Sequence, residues 1–327
     1  MLPNGVMMVG LLLLATGLAS LLAGLQLLKG GLAGVAGPAL RTVLLRFTGT
    51  PLAAAFTGTV LTALVQSSTA VSVLTMGFAD AGLIALPQAI GVILGANVGT
   101  CLTVQLLSFK AGGVALALLA GGLALWAAGR RSRLGACGQA VCGLGAVFLG
   151  LEGMGAAFAP WQHAPWFAHT LLALRANPWA AAAAAAALTG LLHSSGAATG
   201  IVIALARQGL IDLENAVVLV IGNNVGTCFT AVLAALGSTT AGRRIAAAHL
   251  LLNLAGAVAV LPLAGPFAKL ITLTAPGLDR QVANAHTLFN VVSSLLVLPF
   301  VQPFARLIAA LVPETGHRRK RYLRRRL

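Results

Sequence analysis

Charge is the scarcest commodity in this chain: of 327 residues, 21 are basic and six acidic, or 8% charged in all. So little charge cannot keep a soluble surface of this size wet. With 58% hydrophobic residues and a mean hydropathy of +0.95, the sequence describes an integral membrane protein. Strand-type alternation is missing and Ala/Leu/Gly runs dominate, which favours helices over a barrel. The first apolar stretch, roughly 5–28, lacks a basic start and a convincing cleavage site, so a retained helix is expected there. Only four cysteines occur, Cys101, Cys137, Cys142 and Cys228, none in a metal-ligand pair near suitable histidines; buried thiols and no resident cofactor are expected. A phosphate-cradling P-loop is excluded by the missing lysine and preceding strand. No intramembrane nucleophile has an acid–base partner beyond the neighbours His193 and Ser194, so an enzyme is not expected.

The net charge of +15 does not, in such a chain, point to nucleic acid. Its densest part, Arg318-Arg319-Lys320-Arg321 and Arg324-Arg325-Arg326, has the pattern of a cytoplasmic tail (313–327) on an anionic leaflet.

What the chain does have is a duplication. Thr62–Cys101 aligns without gaps on Thr189–Cys228, 127 residues on, with 17 of 40 positions identical. The matches include Ser67/Ser194, Ser68/Ser195 and Asn97-Val98-Gly99-Thr100-Cys101 against Asn224-Val225-Gly226-Thr227-Cys228; Pro51 pairs with Pro178. At an offset of 126, GLQLL from Gly24 faces GLEGM from Gly150, which sets Glu152 opposite Gln26. A smaller echo matches His249 and Asn253 with His286 and Asn290, each pair on one helix face and expected to tie helices together.

Full crossings are expected near 6–28, 83–109, 111–129, 135–159, 210–236, 245–265 and 283–311. The segments 51–79 and 178–206 are each interrupted at the centre by polar residues. As re-entrant hairpins they put Lys29, Arg41, Arg46, the Arg130–Arg133 cluster, Arg243, Arg244, Arg306 and the tail on the cytoplasmic side. Lys110, Arg175, Arg207, Lys269 and Arg280 then lie outside. Three crossings separate the hairpins, so they enter from opposite faces. The expected fold is an all-α polytopic membrane protein of two inverted-topology repeats, 1–132 and 133–265, each with a re-entrant helical hairpin, then a further transmembrane helix within 266–312. The N-terminus would be outside and the C-terminus cytoplasmic.

The interruptions read LVQSSTA and LLHSSGA. A hairpin tip exposes the first N–H groups of its second helix, an anion site, and Ser67, Ser68, Thr69, Ser194 and Ser195 add hydroxyl donors. Unwound carbonyls and Gln66 offer oxygen ligands suited to sodium. In the runs GANVGT (95–100) and GNNVGT (222–227) glycine beside Asn permits local unwinding, and Asn97, Thr100, Asn224 and Thr227 can coordinate a cation or hydrogen-bond an oxyanion. Small and polar residues in membrane helices ordinarily serve packing, but duplicated clusters at the centres of apolar segments point to function. Glu152, within a crossing, is expected to be paired inside the bundle. Trp161, Trp166 and Trp179 read as interfacial anchors, and Asp212 and Glu214 as residues of a solvated outer loop.

Paired Q-S-S-S/T and G-A/S-N-I/V-G-T motifs, with Ala285-His286-Thr287-Leu288-Phe289-Asn290 near the end, resemble the bacterial sodium–phosphate cotransporter family, related to the animal type II cotransporters. The resemblance implies sodium-driven transport of inorganic phosphate through a bacterial inner membrane. It places the substrate and sodium sites at the two Q-S-S motifs, on Gln66, Ser67, Ser68, Thr69, Ser194 and Ser195; with the reading of the residues, phosphate is expected at the five hydroxyls, sodium at Gln66, Asn97, Thr100, Asn224 and Thr227, and His193, Asn223 and Glu152 as modulating. His193 and Gly196 depart from the usual Gln and Ser/Thr, and the helical regulatory domain of some relatives is not expected. A proton-coupled or sulfate carrier of the same fold, and a phosphate-sensing regulatory protein, remain open, as does the oligomeric state, a dimer among the options.

Overall fold

The computed structural model describes residues 4–36, 39–130, 132–162 and 164–314. Arg131 and the basic tail from Arg318 lie outside the described residues, and with them the expected tail–lipid contact. Fifteen α-helices follow: α1 Asn4–Ala36, α2 Ala39–Arg46, α3 Pro51–Val65, α4 Ser68–Asp80, α5 Leu86–Leu107, α6 Gly112–Ala128, α7 Arg133–Trp161, α8 Pro165–Ala176, α9 Pro178–Leu192, α10 Ser195–Arg207, α11 Leu213–Ala235, α12 Thr240–Val260, α13 Ala264–Thr272, α14 Leu278–Val297 and α15 Val301–Leu311. No strand occurs among the described residues. Six spans are long and apolar enough to cross a membrane: α1, α5, α7, α11, α12 running on into α13, and α14 running on into α15. Short 3₁₀ turns carrying Pro262 and Pro299 join the last two pairs, so the span expected to end at 265 continues to Thr272. The 17-residue α6 sits at the lower limit of crossing length. The break between α8 and α9 turns the chain by 112°, so α8 is not a continuation of α9.

Glycine contacts fix helix directions. On α5, Gly91, Gly95 and Gly99 lie against the carbonyls of Pro51, Ala55 and Thr59 on α3, too close for a Cβ. Both sets of numbers rise together, so α3 and α5 run parallel. A chain that leaves α3 at its end and starts α5 level with its beginning must return along α4. The segment is therefore a helical hairpin, its arms of 15 and 13 residues, about 22 and 20 Å, each too short for a ~30 Å hydrocarbon core. At the 127-residue offset, Gly222 and Gly226 meet the carbonyls of Ala182 and Ala186, and α9–α10 repeats the hairpin. By contrast, Gly17 meets Gly150, Gly24 meets Gly143 and Gly31 meets Ala136, one number falling as the other rises. The long helices α1 and α7 thus pack antiparallel.

Local unwinding at GANVGT and GNNVGT does not occur: α5 and α11 are continuous. Their glycines serve backbone approach instead, and the helical hydrogen bonds stay intact.

The outer ends of the hairpins are fastened by opposite charges. Asp80, ending α4, accepts hydrogen bonds from Ser238 Oγ, Thr239 Oγ1, Thr239 N (3.3 Å) and Gly242 N (2.9 Å) at the start of α12. Its counterpart at the repeat offset, Arg207, ends α10. It donates to the Leu107 and Phe109 carbonyls (3.0 and 2.8 Å) past the C-terminus of α5 and pairs with buried Asp279 at 3.4 Å. A carboxylate thus meets a helix N-terminus and a guanidinium a helix C-terminus, each matched to its dipole.

Candidate functional site: two hairpin tips around one cavity

Each hairpin is built the same way from its start. Thr50 Oγ1 accepts from Ala53 N at 3.2 Å and Asn177 Oδ1 from Ala180 N at 3.0 Å, with Pro51 and Pro178 in the first turns. At the tips, Gln66 (φ 55°) and His193 (φ 49°) adopt the left-handed conformation, the only non-glycine residues among those described to do so. Each costs about 1–2 kcal/mol. That strain is held by a partner at the same place on the neighbouring helix: Gln66 Oε1 accepts from Thr103 Oγ1 at 2.6 Å, and His193 Nδ1 lies 3.2 Å from Thr230 Oγ1. Thr103 and Thr230 are themselves 127 residues apart. Imidazole for amide therefore preserves the pin.

Past each pin the chain is extended at Ser67 and Ser194, whose hydroxyls cap α4 and α10 through Ala70 N and Ala197 N, both at 3.2 Å. The N–H groups of Ser68 and Thr69, and of Ser195 and Gly196, precede the first intrahelical bonds and are left as donors.

The two tips meet. Gln66, Ser67, Ser68 and Thr69 face His193, Ser194, Ser195 and Gly196 across a cavity of ≈ 20 Å³, closed by Thr100, Thr103 and Lys29. Its wall is rich in hydroxyls and contains no carboxylate.

All five expected phosphate residues line this cavity, as do Gln66, Thr100 and His193. Asn97, Asn223, Asn224 and Thr227 do not. Asn97 lines a second ≈ 20 Å³ cleft with Asn253, Asn290, Ser293 and Ser294. Asn223 accepts from Thr189 at 2.9 Å and donates to Thr199 at 3.3 Å, bracing the second hairpin against α11. Asn224 and Thr227 bond to carbonyls of their own helix.

Lys29, one of the basic residues assigned to the cytoplasmic side, lies within the long apolar helix α1 and lines the cavity. One expectation changes. Glu152, expected to be paired inside the bundle, is exposed in a ≈ 400 Å³ cleft with Lys110, Arg207 and Gln208 and makes no ion pair among the described residues. The amides of Asn253 and Asn290 bond the His249 and His286 carbonyls of their own helices at 2.9 Å, and the His286 carbonyl also lies 4.0 Å from Cys101 Sγ of α5, so these pairs stand where helices meet. The link to α11 is made by Cys228 Sγ on the His249 carbonyl at 3.4 Å. Thr103 and the Arg207–Asp279 pair had no motif to announce them; only the register of α5 against the hairpins brings Thr103 in.

Fold and site define a polytopic α-helical membrane protein with two hairpin tips converging on a donor-lined cavity. Residues 20–156 and 164–273 match the Na+/Pi-cotransporter family, and the chain belongs to it. The “Uncharacterized protein YqeW” of Bacillus subtilis (strain 168) is 35% identical over 241 residues, 74% of this chain and 78% of its own. The “Putative inorganic phosphate export protein YjbB” of Salmonella typhimurium is 33% identical over 264 residues, 81% of this chain and 49% of its own, so the match spans about half of that relative's length. The mouse (Mus musculus) “Sodium-dependent phosphate transport protein 2C” is 43% identical over 93 residues, 26% of this chain and 16% of its own. No solved structure matches.

Proposed function

We propose that this chain is a sodium-coupled secondary transporter of inorganic phosphate in a bacterial inner membrane, working by alternating access between two inverted repeats. The observation that carries the reading is the pair of capped helix N-termini facing each other across one cavity, with serine hydroxyls beside them. Such N-termini favour a tetrahedral oxyanion through free N–H donors and the helix dipole. In alternating access the two tips part to admit and release the ion.

The antiparallel packing of α1 and α7, which are repeat equivalents, supports an inverted relation. An inverted relation has the hairpins that follow them open toward opposite ends of the bundle; the excess of basic residues assigned to one side supports a cytoplasmic C-terminus and an outside N-terminus. Membership of a cotransporter family supports phosphate as cargo, and the printed names of the relatives are compatible with flux in either direction, which the gradients would set.

For sodium, Gln66 and Thr100 stand at the phosphate cavity. Asn97 has the more complete oxygen set: in its cleft Asn253 and Asn290 turn their NH₂ groups to their own helices, leaving amide oxygens beside Asn97, Ser293 and Ser294. These are hard, neutral ligands. Asn224 and Thr227, bonded within α11, serve the reading less well.

The test is labelled phosphate flux into proteoliposomes of the purified chain, with sodium, pH and membrane potential varied separately and sulfate as competitor. Phosphate-selective flux that rises with a sodium gradient is expected. Flux driven equally by protons without sodium, or competed by sulfate, would falsify the assignment.

A further inference from the structure

We infer that Lys29 is a substrate-binding residue, its ammonium standing beside the bound oxyanion as a built-in cation. This rests on the proposed phosphate site and deepens it. Lys29 is half-buried inside the α1 span, and among the described residues it has neither an ion pair nor a hydrogen bond. A half-buried ammonium with no protein partner that faces a cavity is placed to meet a ligand there. The cavity it lines supplies hydroxyls and helix N–H groups but no carboxylate, so nothing there neutralises the ammonium. A wall of donors plus one positive charge is complementary to an acceptor-rich dianion.

The placement is built into the fold. Leu25 and Lys29, four residues apart, share one face of α1. Leu25 packs where a Cβ on Gly196 would meet its Cδ1 at 3.5 Å, so this face abuts the second tip. The repeat offers no second lysine: at the offset of 126, Lys29 faces Gly155. Of the residues lining the cavity, only Lys29 carries a fixed charge, and it breaks the near-symmetry of the two tips. A phosphate held this way needs less charge from coupling ions. Removing the ammonium must then shift the burden onto sodium.

Two measurements on the full chain test this. In proteoliposomes, phosphate/phosphate exchange by Lys29→Gln is expected to need at least about tenfold more phosphate for half-saturation, and to depend more steeply on sodium. Lys29→Arg should retain most of the affinity. In the unmodified protein, phosphate should protect Lys29 from an amine-acylating reagent, read by mass spectrometry, while exposed Lys110 reacts equally with and without it. Exchange by Lys29→Gln with wild-type phosphate and sodium dependence, or acylation of Lys29 unaffected by phosphate while the wild type exchanges it, overturns the inference and leaves the transport reading standing. A wild-type protein that neither exchanges phosphate nor shows protection removes both. If Lys29→Gln does not fold, the acylation experiment alone decides.

Discussion

At the residue scale, neighbouring serines in each tip have different work. Ser67 and Ser194 spend their oxygens capping α4 and α10, so losing either hydroxyl costs about 1 kcal/mol of local stability. Ser68 and Ser195, one position on, line the cavity without capping anything. Ser68→Ala and Ser195→Ala are therefore expected to fold with unchanged melting temperature yet raise the phosphate concentration for half-maximal flux severalfold. Unaltered flux kinetics in both would remove these hydroxyls from the site. The QSS/HSS pairing made the serines legible beforehand. It did not separate serines that cap a helix as well as line the cavity from those that only line it, because that distinction lies in where the helix begins.

At the element scale, the hairpins are held by glycine-lined contacts along one side and by the two charge latches at their ends. Arg207 balances Asp279, which is 3% exposed. Removing one partner of a buried pair leaves an uncompensated charge, at about 3–5 kcal/mol, softened here by Lys110 at 4.0 Å. Arg207→Ala is expected to lower the melting temperature strongly, and Arg207→Ala with Asp279→Ala to recover much of the loss. The double-mutant cycle reads this coupling directly; additive losses would show that the latch carries no weight. Element boundaries were largely legible, since apolar length, Pro51 and Pro178 mark them. The latches were not, because Asp80 and Arg207 resemble ordinary end-of-helix charges until α12 and α5 are brought beside them.

At the scale of the whole molecule, the proposed alternating access requires the two tips to separate. A Ser68→Cys, Ser195→Cys pair joined by a short thiol crosslinker is expected to abolish phosphate flux, with recovery on cleavage of a reducible linker; either single variant with the same reagent should retain flux. Flux undiminished in the crosslinked protein would show that the tips need not part.

Composition by itself determined that the chain lives in lipid, and the duplication determined that whatever is built once is built twice, because hydropathy and repeat identity are properties of the string. Where segments more than a hundred residues apart touch was decided by tertiary packing. Glycine registers set how α1 runs against α7 and each hairpin against its partner helix, and the packed bundle puts Lys29 at the meeting point of the tips while Asn97 lines a separate cleft. A side chain's electrostatic role depends on what surrounds it, and in this bundle those surroundings come from distant parts of the chain.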